Sequence, residues 1–60
     1  MKIGTTYQHV GLDITCIPTA ETAKGVKVQM TTSYPGTRKK PRTVTSNIWA
    51  VDYDLWTVEK

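Results

Sequence analysis

A chain of 60 residues with 38% hydrophobic content is too apolar for a disordered polymer and large enough for one small core, so a single domain spanning 1–60 is expected. The lone Cys16 excludes an intrachain disulfide and fits a reducing, cytoplasmic setting. The formal charge of +3 is unevenly placed: residues 1–23 sum to −1, residues 24–42 to +6 with no acid, and residues 43–60 to −2.

That middle third favours an anionic partner, with nucleic acid (DNA or RNA) first and an acidic protein or lipid surface after it. No run has the length of a signal peptide or approaches the roughly 20 apolar residues of a membrane span, so no membrane association is expected.

In chain order, Thr5 to Val10 is compatible with a strand, and Gly11 marks a bulge or tight turn. Leu12, Ile14 and Cys16 alternate with Asp13 and Thr15, the pattern of a half-buried strand, which Pro18 is expected to end. Thr19 to Lys24 carries the grammar of a short helical turn: Thr19 as cap, Glu21 in the first turn, Lys24 in the last, Gly25 as stop. A polar loop fits the same residues.

Val26 to Thr32 is the clearest strand, with Val26, Val28 and Met30 facing inward and Lys27 on the wet face. Tyr34 to Arg42 follows, reading Tyr-Pro-Gly-Thr-Arg-Lys-Lys-Pro-Arg, with four of the eight basic residues in its last five positions. Pro35-Gly36 signals a type II turn, since proline presets the first central position and glycine accepts positive φ at the next. Pro41 keeps the basic run out of a central strand. A wide, mobile basic loop at about 34–42 is expected between two antiparallel strands, because a type II turn alone would splay them.

Thr43 to Ser46 resumes strand-forming residues. Residues 46–58 admit two readings. Ile48, Val51, Leu55 and Val58 recur at helical spacing behind Ser46 or Asn47 as cap, yet the β-branched and aromatic types favour two strands around an Asp52-Tyr53-Asp54 turn. Eleven threonines tilt the chain the same way. The expected fold is all-β, a small five-stranded antiparallel barrel or rolled sheet of SH3-like or OB-like type. Its expected core is Leu12, Ile14, Val26, Val28, Met30, Val44, Ile48, Val51, Leu55 and Val58 with one tryptophan.

The candidate contacts follow from this layout. Arg38, Lys39, Lys40 and Arg42 are placed to neutralise phosphates, Lys24 and Lys27 extend the field, and Tyr34 is positioned to stack on a base. A solvated loop that keeps a tiny protein soluble is the plain alternative for the same run. Trp49, Trp56 and Tyr53 are candidate protein-binding anchors or core residues. His9 and Cys16 lack an orienting residue or oxyanion-hole signature, and one His and one Cys with Asp13 make no spaced metal-ligand set.

The sequence therefore reads as a non-enzymatic nucleic-acid-binding module without metal or cofactor. The second reading is a protein-binding module, an inhibitor or accessory subunit of a larger enzyme, anchored by an exposed tryptophan and a sheet edge. A homodimer is a third arrangement open to so small a chain.

Overall fold

Pro18 sits inside a strand. In the structure, a computed structural model that describes residues 1–59, five strands run Tyr7–His9 (β1), Ile14–Glu21 (β2), Gly25–Thr32 (β3), Arg42–Trp49 (β4) and Trp56–Val58 (β5), with a 3-10 helix at Ala50–Leu55. They form one antiparallel sheet of order β4-β3-β2-β1-β5. The molecule measures 38 × 19 × 18 Å, elongated in keeping with its long strands.

The β2–β3 ladder explains why Pro18 is tolerated. Ser33 N–H donates to the Asp13 carbonyl at 2.8 Å, one residue beyond the Ile14–Thr32 pair, which makes that pair a non-hydrogen-bonded one. Counting two residues at a time, Pro18–Val28 is also non-hydrogen-bonded, so the proline nitrogen faces away from β3. On that side β1 has already ended at Tyr7, and the Pro18 carbonyl accepts the Gly4 N–H at 3.0 Å. The register shifts between Pro18 and Ala20, and pairing then continues to Glu21–Val26. The expected strand end at Pro18 is thus overturned by the geometry of its free side.

The helical turn expected at 19–24 is also absent. Thr19, Ala20 and Glu21 extend β2, and the chain reverses through Thr22, Ala23 and Lys24. Thr22 N–H donates to the Gly25 carbonyl at 2.9 Å, and the Thr22 hydroxyl accepts the Gly25 N–H at 3.1 Å. A single helical turn costs nucleation entropy for few bonds, and the long ladder outweighs it.

Within residues 46–58, the two-strand reading holds with moved boundaries. β4 runs through Ser46 and Asn47 to Trp49, and the Asp52-Tyr53-Asp54 stretch lies in the 3-10 helix before β5. No side chain caps that helix.

The sheet does not close into a barrel. β4 and β5 are its two edges, and β1 and β5, three residues each, are too short to complete a closed ladder. The core is correspondingly small: Cys16, Val26, Val28 and Ile48 with Pro18, against which Met1, Tyr7, Met30, Tyr53 and Trp56 pack. Burial fades toward the β4 edge along the row Cys16, Met30, Val44, where Val44 is 42% exposed.

Of the expected core, Leu12, Val44, Val51, Leu55 and Val58 are exposed and Ile14 is half-buried. Leu12 lies in the bend before β2, Val58 on a short edge strand, and Tyr53 takes the inward position on the 3-10 helix that Val51 and Leu55 were expected to share. The tryptophan that joins the core is Trp56, whose ring also meets His9 edge-on, with centroids 5.0 Å apart.

Candidate nucleic-acid interface

The basic loop spans residues 33–41, joining β3 to β4 at one end of the long hairpin. Its first bend is the Pro35-Gly36 turn: Gly36 has φ 74°, and Thr37 N–H donates to the Tyr34 carbonyl at 3.3 Å. The Thr37 hydroxyl reinforces the bend by donating to the same carbonyl at 2.8 Å. Below the loop, the Thr31 and Thr43 hydroxyls share a 2.9 Å hydrogen bond across the hairpin.

Arg38, Lys39, Lys40 and Arg42 are all exposed, and none forms an ion pair within 4.0 Å among the described residues. Tyr34 is half-buried, and the Lys39 ammonium lies 5.6 Å from its ring centroid, a cation–π arrangement. Tyr34 is thus held against the cationic run rather than standing free of it.

The other expected basic residues lie elsewhere. Residues of β3 and β4 alternate between two faces. Lys27 pairs with Asn47 on the outer face, and Arg42 pairs with Thr32 on the face that carries the core. Lys24 sits in the β2–β3 loop, at the opposite end of the hairpin from residues 33–41. There its ammonium lies 5.8 Å from the Trp49 ring centroid. Thr22, Ala23, Lys24, Asn47 and Trp49 line an open groove of about 360 Å³.

The aromatic candidates separate. Trp49 is 50% exposed, whereas Trp56 and Tyr53 pack on the core. No family model, curated protein or solved structure matches this chain. The site is therefore read from its own chemistry.

The sequence invoked a sheet edge without locating it; the structure leaves β4 as a free, regular one. Ala50 N–H donates to the Lys24 carbonyl at 2.9 Å, which brackets the Gly25–Trp49 pair and makes it non-hydrogen-bonded. Thr43, Thr45 and Asn47 share that parity, so their backbone N–H and C=O groups point away from β3 along the open side of β4. The signal was the alternation 43, 45, 47, 49, hidden because the strand was expected to stop at Ser46.

Cys16 is 1% exposed, and burial pushes its thiol from 9.0 up to about 11. It stays protonated at neutral pH and behaves as a small apolar side chain. It pairs with Tyr7, while His9 pairs with Trp56 and accepts the Gly11 N–H at its Nδ1, 3.0 Å away. Among the described residues no three His, Cys, Asp or Glu side chains gather as a metal site, and no helix is long and apolar enough to cross a membrane.

Proposed function

We propose that the protein is a small non-enzymatic nucleic-acid-binding module that grips phosphates through the loop at residues 33–41 and the adjoining Arg42. The carrying observation is that Arg38, Lys39, Lys40 and Arg42 are exposed at the tip of a hairpin and engage no carboxylate among the described residues. Solvated cations of this kind bind a polyanion by releasing its condensed counterions, without first breaking internal ion pairs. We read the scaffold as an SH3-like sheet left unclosed between its β4 and β5 edges, and a buried unpaired thiol suits a cytoplasmic setting.

Titration of labelled DNA or RNA against increasing salt, with the wild-type protein and the Arg38→Ala, Lys39→Ala, Lys40→Ala, Arg42→Ala quadruple variant, tests the reading. Affinity indifferent to ionic strength, or unchanged in the variant, would overturn it.

The open β4 edge favours a second reading. A partner strand could add alongside Thr43, Thr45 and Asn47 while Trp49 anchors it at the end. The partner is either another protein or a second copy of this chain. This reading predicts capture that depends on the edge backbone and on Trp49 and is insensitive to the loop cations.

A further inference from the structure

The outer face of the sheet is uncovered among the described residues. Its exposed positions form ordered rows: Lys27 beside Asn47, then Gln29 beside Thr45, with Trp49 at the end nearest the β2–β3 loop. Trp49 is the one large aromatic side chain of the described residues that is exposed rather than half-buried. From Trp49 to the base of the basic loop, β4 rises about 23 Å at roughly 3.3 Å per residue. That length suits the smaller site sizes of single-strand-binding sheets, roughly 4 nucleotides.

We infer that this face is a binding track for single-stranded nucleic acid, with a base stacked on Trp49, Lys24 and Lys27 meeting the backbone phosphates, and the strand leading on to the loop at Arg38–Lys40. The inference rests on the proposed nucleic-acid reading and narrows it to an unpaired strand. Three observations converge on it.

An indole ring at the end of a mostly polar face, which also exposes Ile17 beside Gln29, offers a π-surface to a splayed base, which a paired duplex does not present. The Lys24 ammonium lies over the indole, 5.8 Å from its centroid, so a base stacking on that face displaces the flexible lysine, whose cation is then within reach of the same nucleotide's phosphate. The amides of Gln29 and Asn47 and the Thr45 hydroxyl add donors and acceptors for base edges or backbone oxygens along the way. Lys27 lies on the face and Lys24 in the loop at its end; by strand register Asp13 shares the face only at the base of the basic loop, and Glu21 pairs with Val26 on the opposite face.

The test uses the whole protein, a labelled oligothymidylate of about 12 nucleotides and a duplex of about 12 base pairs. Trp49→Ala should weaken oligothymidylate binding about tenfold, the lower part of the stacking range, and leave duplex binding unchanged. Trp49→Phe should restore most of the loss, and oligothymidylate should quench tryptophan fluorescence in the wild type. Circular dichroism of each variant checks that the exposed Trp49 side chain is not needed for folding.

If Trp49→Ala binds oligothymidylate as tightly as the wild type while the quadruple loop variant loses affinity, the track is wrong and the loop reading stands. A preference for duplex over single strand also overturns the track. If no salt-sensitive binding to either probe occurs, the loop reading fails and the track falls with it.

Discussion

Gly25 faces Trp49 across the β3–β4 ladder, and the strands meet there so closely that a methyl group on Gly25 would run into the Ile48 carbonyl and the Trp49 Cα. The glycine is required by this approach rather than by a helix stop. Because Trp49 ends β4 at this contact, Gly25 also fixes where the exposed indole stands.

Gly25→Ala should therefore destabilise the fold by about 1–3 kcal/mol, the usual cost of overpacking against groups that cannot move aside. Gly11→Ala is the control: open space surrounds that position and its φ is not positive, so a change within about 0.5 kcal/mol is expected. Urea denaturation midpoints of the two variants would settle the comparison. Equal midpoints would show that the close approach carries no weight.

The loop cations set a salt law. If all four side chains meet phosphates, the plot of log affinity against log salt should have a slope of about −2.8 to −3.6, from roughly 0.7–0.9 per contact. Each single alanine substitution should reduce the slope by about 1 without altering the thermal midpoint, since these side chains touch no core. A slope untouched by all four single changes would remove the assignment of phosphate contacts to the loop.

Cys16 gives the fold a pH dependence with a definite sign. Its folded pKa, about 11, lies above the ordinary 9.0, so above pH 9 the unfolded chain holds fewer protons than the native one. Stability from this group is fully present below about pH 9 and is lost as pH rises through about 11. Wild type should lose stability faster than Cys16→Ala over that window. The measurement is the difference in denaturation midpoint between pH 8 and pH 10.5, and parallel curves for the two proteins would contradict the prediction.

The parity of β4 predicts opposite fates for neighbouring proline substitutions. Thr45 N–H points to the free edge and Ser46 N–H into the ladder with β3. Ser46→Pro should thus cost about 3 kcal/mol or more, and Thr45→Pro much less. Thr45→Pro should also abolish any strand addition at the edge. A folded Thr45→Pro variant that still captured a partner, or still self-associated as the wild type did, would exclude the edge as the docking surface.

The alternation of Val26, Val28 and Met30, the Pro35-Gly36 bend and the crowding of cations after it were legible in the sequence, because side-chain period and turn chemistry are local. The helical grammar of Thr19 to Lys24 misled for the converse reason. Ala20 and Glu21 are bound to β3 by pairings that local propensity does not register, and Thr22 to Lys24 form the reversal.

Likewise, five expected core residues lie in the open because the sheet stays unclosed, and burial depends on which face another element covers. By itself, then, the chain determined an antiparallel β scaffold with its positive charge concentrated between two strands. Only the tertiary structure decided that Lys24 belongs with Trp49 rather than with the basic loop, that Lys27 and Arg42 lie on opposite faces, and that β4 is left as a free edge. Those outcomes follow from register, and register is fixed by hydrogen bonds between residues far apart in sequence.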